Sequence, residues 1–546
     1  MQDGFWRLVR RWAGHNAYDV FSALLLISLL VAAMLTWRDY GISNDEEVQH
    51  RYGEMIIAYY ASGFADRSLF NFQNLYLYGG LFDIAAVLIS YIIPADPYVI
   101  RHLLCPLLGI AGIGFTWATA RLIAGPRGAA IAAVSLCLCG VWYGGMFNHT
   151  KDIPFGAAMI GATYFLIRAM RALPRPHWRD VMFFGVLLGA ALGQRATGLL
   201  MVVYLTAAVG FATFRVTSDA RERARFVIRS ALSFVPAVMI AYAIMIAAWP
   251  WASLNVFNPV RAIFAFAHFH YPIRTLLAGQ IYDMATVPRW YVPVYLLIKL
   301  PLVIWFGAAA AILIAVVTTL RGSAGRARDE IALIIISVAL PLFCQVAGHG
   351  PAFTGMRHFL FVVPAFAVLA GIGLDALLRI FEARRPIYGL ALSGVVAAVM
   401  IWNATLLIRL HPEQYLFYSP LVGGLEGASR QYDTDYWVNI MPEAVTSLET
   451  FLRKTERGPA SRLGRFYTVA VCGERLPFEK EADAPLKWAD DWQLADFYIS
   501  PTHMDCDTAL EGKVIATIDR LGVPIGVIKD RRALTRPEFA TAFPAF

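Results

Sequence analysis

Ser43-Asn44-Asp45-Glu46-Glu47 follows the first long apolar run of the chain, and the placement of this acidic stretch decides how everything after it is read. Val20 to Thr36 matches the roughly 17 to 25 apolar residues that cross a bilayer's hydrocarbon. Arg7, Arg10 and Arg11 precede it, and no small-residue cleavage site stands before Trp37-Arg38-Asp39. The run therefore reads as an uncleaved span entered from the cytoplasm rather than as a signal peptide. The three carboxylates then lie outside, in a first outer loop of residues 37–98. That loop contains Leu81 to Ile93, an apolar stretch of about thirteen residues, too short to span and read as an interfacial or re-entrant helix.

Leaving Leu81 to Ile93 outside the count makes every later loop obey the positive-inside rule. Arg121 and Arg127 fall inside, as do Arg168, Arg171, Arg175 and Arg179, then Arg215, Arg221, Arg223, Arg225 and Arg229. Arg321, Arg326 and Arg328, and finally Arg379, Arg384 and Arg385, follow the same pattern. Spans starting near Val20, Val99, Gly128, Ile153, Val181, Ala196, Val227, Val292, Ile331, Phe359 and Ile387 give about eleven in all. The N-terminus is then cytoplasmic and the tail after His411 extracytoplasmic. Composition agrees, with 58% hydrophobic residues, 16% charged residues and a mean hydropathy of +0.55. The net charge of +8 is topology rather than a nucleic-acid footprint, because the arginines lie between apolar segments.

The expected architecture is an α-helical polytopic membrane domain over residues 1–410 and a small α/β extracytoplasmic domain over 411–546. Gln194-Arg195 reads as a tight outer turn between two short spans, against the alternative of one kinked helix. In the tail, Pro442 to Lys454 reads as a helix, and Phe466 to Cys472, Phe497 to Ser500, Val514 to Ile518 and Pro524 to Ile528 as strands, the last two joined at Leu521-Gly522. Cys105, Cys137, Cys139 and Cys344 lie in apolar segments and read as inert core thiols, whereas a disulfide is open to Cys472 and Cys506 if the tail is extracytoplasmic.

On this topology Asp45, Glu46 and Glu47, Arg101 and His102, Lys151 and Asp152, Arg195, and Arg357 and His358 meet near the outer face. Charges beside membrane spans are costly unless they face water or each other, so an outward cavity follows. Cations there can hold a phosphate through charge-assisted hydrogen bonds, while a carboxylate takes a proton from an attacking hydroxyl. Blander readings stand beside these: a solvated acidic loop, a Lys151-Asp152 surface pair worth under roughly 1 kcal/mol, an interface anchor at Arg357-His358. Asn148-His149-Thr150 matches a glycosylation sequon by chance, and His268 with His270 could bind a metal only with a carboxylate's help.

Taken in order, Asn44-Asp45-Glu46, Leu77-Tyr78-Gly79-Gly80-Leu81-Phe82, Arg101-His102, Asn148 to Phe155, Gly193-Gln194-Arg195, Val287 to Pro293, Gly355 to Phe361, His411 to Tyr415 and Leu421 to Gly424 resemble the GT-C membrane glycosyltransferases. The group is glycosyltransferase family 39, which includes the protein O-mannosyltransferases. The resemblance implies a GT-C fold and an inverting transfer of a sugar, hexose or pentose, from a polyprenyl-phosphate donor to an acceptor hydroxyl at the outer face of a bacterial inner membrane. It implies Asp45 as the catalytic base and Glu46 as a positioning carboxylate. Lys151, Arg195 and Arg357 would hold the donor phosphate, with Asp152, His358, Arg101 and His102 also in the substrate site. The acceptor is left as glycan, lipid or protein; no cofactor is required, and a divalent metal is left open. Thr354 stands where relatives carry an acidic residue, and the tail lacks the β-trefoil repeats of the eukaryotic enzymes. A transporter or lipid flippase is the competing reading, which would be expected to show paired half-chains with broken helices near the midplane.

Overall fold

A computed structural model describes residues 16–216, 219–267, 273–321, 325–350, 352–455 and 466–536. Arg7, Arg10, Arg11, His268 and His270 lie outside the described residues. Among the described residues, nine helices are long and apolar enough to cross a membrane. The expected eleven differ from these nine at three places; in one of them the segment at Val292 is a nine-residue helix, Tyr291–Lys299, and the crossing helix begins at Leu302. The segments starting at Val99 and Gly128 are two helices that run together as α4 below and are counted once among the nine; they meet at Gly125, whose positive φ of 87° and following proline turn the chain between them. The segment at Val181 is a helix of 15 residues, Trp178–Leu192, shorter than a full crossing.

The membrane helices used below are α1 (Ala17–Thr36), then α2 (Glu46–Ala61) and α3 (Leu81–Ile92) in the first loop, and α4 (Pro97–Cys137). After these come α5 (Asp152–Arg171), α6 (Trp178–Leu192), α7 (Leu200–Val216), α8 (Tyr291–Lys299), α9 (Leu302–Leu320), α10 (Arg326–Gly348), α11 (Val363–Arg384) and α12 (Pro386–Arg409). At 20 residues, α1 is about 30 Å long, the thickness of the hydrocarbon. Only Ser22, Leu29 and Ala33 of it are buried, and Leu24, Ile27, Leu30 and Leu35 face outward as a lipid-facing helix requires. Helices α5 and α11 are instead buried along most of their length and form the centre of the bundle.

The two ends of the bundle differ in chemistry. At one end the loop arginines pair with carboxylates: Arg127 with Asp375 at 2.6 Å, Arg171 with Glu330 at 2.7 Å, Arg215 with Asp329 at 2.9 Å and Arg121 with Asp19 at 2.9 Å. The other end carries the first loop, the starts of α5 and α11, and the tail. Helix α3, with 12 residues, falls short of a crossing. Helix α6 ends at Leu192, Arg195 is fully extended (φ −148°, ψ 141°), and a 3-10 turn over Ala196–Leu199 leads into α7, so the chain turns there rather than kinking within one helix.

In the tail, α13 (Met441–Thr455) buries Met441, Ala444, Val445, Leu448 and Leu452 along one face, the spacing of an amphipathic helix. Beside it is a five-stranded sheet in the order β4-β3-β5-β7-β6, built from β3 (Tyr467–Val471), β4 (Leu486–Trp488), β5 (Phe497–Pro501), β6 (Lys513–Arg520) and β7 (Val523–Asp530). A separate hairpin of β1 (Arg274–Leu277) and β2 (Gln280–Asp283) precedes α8. Strands β6 and β7 turn through Leu521 and Gly522, both with positive φ, the geometry that tight hairpins favour. Cys472 and Cys506 are joined in a disulfide. Cys105, Cys137 and Cys139 are buried as expected, but Cys344 is exposed on α10, among residues that face outward from the bundle.

Candidate active site

Four loops deliver five charged side chains to one hollow at the tail-bearing end. Asp45 occupies the position before α2; Lys151 and Asp152 open α5; Arg195 lies in the turn after α6; Arg357 begins the 3-10 turn that leads into α11. Arg357 Nη2 donates to Asp45 Oδ2 at 2.7 Å, and its Nε lies 3.8 Å from Asp152 Oδ2. Arg195 donates to the other oxygen of Asp152. Asp152 thus bridges two guanidiniums, and Arg357 bridges two carboxylates. The ammonium of Lys151 lies 4.6 Å from the centre of the Tyr78 ring, which Arg195 also overlies at 5.7 Å. Among the described residues no carboxylate pairs with Lys151, although it is only 6% exposed.

The hollow is left short of negative charge. Asp45 and Asp152 face Lys151, Arg195 and Arg357, so one positive charge is in excess. The Nε groups of Arg195 and Arg357 are buried and have no hydrogen-bond partner among the described residues. Desolvation lowers the proton affinity of Lys151, opposed by Asp83. Unpaired donors at buried cations are the arrangement that an incoming anion satisfies.

The backbone around Tyr78 explains its glycines. Gly80 N–H donates to Ala248 at 2.9 Å and Leu81 N–H to Gly193 at 3.1 Å, which ties the first loop onto the turn carrying Arg195. A Cβ on Gly79 would collide with the Gly193 carbonyl, so only glycine allows this approach.

Glu46, Arg101 and His102 form a separate, deeper layer. Glu46 is fully buried; its Oε1 accepts from Ser43 N–H at 2.9 Å and lies 3.0 Å from His102 Nε2, and its Oε2 is 3.6 Å from Arg101 Nε. Burial alone would raise the Glu46 carboxyl, but His102, Arg101 and the Ser43 amide outweigh it and hold it below the usual carboxylate range. Arg101 donates also to Asp83 at 3.0 Å, Gln49 at 3.1 Å and Thr150 at 2.9 Å. Arg101 and His102, grouped above with the substrate-binding residues, are therefore occupied by this network and do not face the hollow. What the network does is hold Thr150, next to Lys151, against α2 and α3. Asp83, Gln49 and Thr150 carry it and were not foreseen.

The tail supplies the other unforeseen part. Trp437 packs its ring 4.5 Å from the Arg357 guanidinium, and Tyr436 OH lies 3.2 Å from His149 Nε2. Asn439 Oδ1 accepts from Gly41 N–H at 2.8 Å and from Asn148 Nδ2 at 3.0 Å. Asn44 donates to the Tyr436 carbonyl at 3.4 Å. Asp433 accepts from Thr275, Tyr291 and the amides of Leu276 and Gly355. Segment 433–439 thus fastens the loops bearing Asp45, Lys151 and Arg357 to one another. Asn148 is buried in these contacts, in keeping with a chance sequon. His149 is driven down to about 3, mainly by burial and then by Arg357, so its ring is neutral. His358 packs its ring 4.7 Å from Phe353 and joins none of the charged contacts. Among the described residues no three His, Cys, Asp or Glu side chains stand close enough to hold a metal ion.

Residues 86–251 match the family model for dolichyl-phosphate-mannose-protein mannosyltransferases. No curated protein matches the chain. Among solved structures, the chain is similar to ArnT from Cupriavidus metallidurans bound to undecaprenyl phosphate, with a TM-score of 0.48 and 15% identity, over 94% of this chain and 98% of that one. The apo form of the same protein gives 0.46 and 16%, over 93% and 98%. The archaeal oligosaccharyltransferase AglB from Archaeoglobus fulgidus, in complex with an inhibitory peptide and a dolichol-phosphate, gives 0.45 and 12%, over 88% and 70%. The matched residues run from within the short helix α3 past Lys151, Asp152 and Arg195, and the family model they match belongs to the group that the loop motifs resemble.

Proposed function

We propose that this chain transfers a sugar from a polyprenyl-phosphate donor to an acceptor hydroxyl, with inversion at the anomeric carbon, at the extracytoplasmic face of the membrane. The observation that carries this reading is the hollow in which Asp45 and Asp152 share Arg357, while the Nε groups of Arg195 and Arg357 have no hydrogen-bond partner and Lys151 no carboxylate among the described residues. A phosphodiester brings one negative charge and acceptor oxygens, which match the excess charge of Lys151, Arg195 and Arg357 and their spare N–H groups. The family description itself names a lipid-phosphate sugar.

In the proposed step Asp45 takes the proton of the acceptor hydroxyl. That oxygen forms a bond to the anomeric carbon from the face opposite the phosphate. The bond between that carbon and the phosphate oxygen breaks, and its electron pair leaves on the polyprenyl phosphate. Pre-placed cations stabilise the charge that develops there without reorganising. Asp45 suits the base role because Arg357 holds only one of its oxygens, while the other has no hydrogen-bond partner among the described residues and the side chain is partly open to solvent. Glu46, Arg101 and His102 act one layer away by positioning α2 and the Lys151 loop.

The extracytoplasmic orientation rests on the arginine pairs at the opposite end of the bundle, the end that the charge rule assigns to the cytoplasm. A transporter would gather its charges near the middle of the membrane, and here they gather at the ends. The test is mass spectrometry of envelope glycolipids and glycans with and without the protein, combined with a reporter fused after Arg430. A sugar missing from one acceptor, and a reporter active only outside the cytoplasm, are expected; unchanged glycans in cells lacking the protein would refute the reading.

A further inference from the structure

Behind Arg357, between α8, α11 and the tail, lies a cavity that no step above uses. Lys299, the last residue of α8, lines it and is only 4% exposed. Its ammonium donates to the Tyr415 carbonyl at 3.0 Å and lies 3.4 Å from the centre of the Tyr418 ring. An ammonium has three N–H donors, so two are left over, and no carboxylate pairs with Lys299 among the described residues. Thr354 and Arg357 border the same space, and Thr354 Oγ1 is buried with no hydrogen-bond partner among the described residues. Asp433 also lines it, but both its oxygens are taken by Thr275, Tyr291 and the amides of Leu276 and Gly355. The cavity therefore offers the spare N–H groups of Lys299 beside the unpartnered Thr354 hydroxyl and His149 Nδ1, and no free carboxylate oxygen. Tyr295, Tyr415 and Tyr436 spend their hydroxyls elsewhere, on Leu276, Asp435 and His149, and present ring surface.

Buried polar groups without partners in a native protein call for an explanation, and a cation kept in such a place costs more than a neutral group. The space admits about one or two water-sized groups, too little for a whole sugar ring and enough for a single substituent. Arg357 connects this space to the reacting centre, since it lines the cavity while its Nη2 donates to Asp45. In a pyranose the exocyclic carbon is separated from the anomeric carbon by only the ring oxygen and one ring carbon. A sugar with its anomeric carbon beside Asp45 and the cations can thus turn that substituent past Arg357.

We infer that the cavity of Lys299, Thr354 and Arg357 receives the exocyclic, oxygen-bearing carbon of the transferred sugar, the group that a hexose or a hexuronic acid has and a pentose lacks. This rests on the sugar-transfer reading above. A site built to hydrogen-bond a substrate oxygen rejects the analogue without it strongly, because its own donors are then left buried and unpaired.

The test uses the full chain in lipid nanodiscs and measures binding of undecaprenyl-phosphate-linked glucose, glucuronic acid and xylose. These differ only at the substituent in question: hydroxymethyl, carboxylate or hydrogen. Mannose and lyxose donors form a parallel pair, and each affinity is taken relative to bare undecaprenyl phosphate. The expected result is that a six-carbon donor binds at least about tenfold more tightly than its five-carbon counterpart. Lys299→Met should shrink that margin to within about threefold, and Thr354→Val, which keeps the side chain's shape, should shrink it in part. Tighter binding of the glucuronic acid donor than of the glucose donor would identify a charged substituent, and the reverse order a neutral one. Equal affinities in the wild type, or a margin that survives both substitutions, would overturn the inference and leave the cavity as a place for water. If bare undecaprenyl phosphate fails to bind as well, the transfer reading falls first; if it binds and the sugars are not distinguished, only this inference falls.

Discussion

Replacing Asp45 with asparagine separates its chemical role from its structural one, because the two have very different expected sizes. The side chain is 39% exposed and its single strong contact is Arg357 at 2.7 Å. An exposed ion pair of this kind contributes under about 1 kcal/mol, and asparagine can still accept a hydrogen bond from Arg357. Arg357 also keeps Asp152 at 3.8 Å and the Trp437 ring at 4.5 Å. Asp45→Asn should therefore leave expression and melting temperature nearly as in the wild type. The base itself is another matter. Loss of a positioned general base slows a reaction about 10²- to 10⁴-fold, an increase in barrier of roughly 3 to 5 kcal/mol. Donor affinity should not fall, since removing a negative charge leaves the cations less neutralised. The assay is sugar transfer in proteoliposomes supplied with a panel of undecaprenyl-phosphate sugars and envelope extract as acceptor, alongside donor binding and thermal unfolding. A folded Asp45→Asn protein with more than a tenth of the wild-type rate would remove Asp45 from the mechanism.

Arg101→Met should destabilise the protein by about 3 to 5 kcal/mol, since it leaves Asp83 and Glu46 buried without their cation; thermal unfolding in detergent is the measurement. His149 gives a pH dependence with a definite sign. Its unfolded imidazole takes up a proton near 6.5 whereas the folded one stays neutral down to about 3, so the unfolded state binds more protons between those values. Stability should fall as pH falls from 6.5 towards 3, by about 2 kcal/mol at pH 5 from this residue, and His149→Gln should flatten the profile measured by unfolding. The Cys472–Cys506 bridge closes a sequence separation of 34 residues, so reducing it, or Cys472→Ser, should cost about 3 to 4 kcal/mol of tail stability, read as faster proteolysis after residue 466.

Much of this arrangement is legible in the amino-acid sequence for one physical reason: an ionisable residue in an apolar chain is expensive, so each one stands out. Asp45, Lys151, Asp152, Arg195 and Arg357 could be grouped before any coordinates because each interrupts or borders an apolar run, and the structure brings them together. The same signal cannot say which way a side chain turns. Arg101 and His102 are near the right end of the bundle, yet they face Glu46 and Asp83 beneath the hollow rather than the hollow itself. Asp433, Tyr436, Trp437 and Asn439 escaped notice because polar and aromatic residues are ordinary in the tail, and their importance comes from docking onto loops distant in the chain, 398 residues away for the Gly41–Asn439 contact. The strand Leu486–Trp488 is three residues long and offers no alternation to read. Counting spans was limited in the same way: nothing in hydropathy alone reveals that the helix at Val181 stops after 15 residues.

The fastening of the loops bearing Asp45, Lys151 and Arg357 by residues 433–439 has a consequence for how such a protein comes into being. Those residues leave the ribosome only after all the membrane helices have been made, so a nascent chain inserted in the bilayer has every charged group of the hollow but no geometry to use them. Competence arrives late in translation, all at once, when the last globular part closes over the bundle. A product truncated before residue 433 is expected to insert in the membrane and to transfer no sugar.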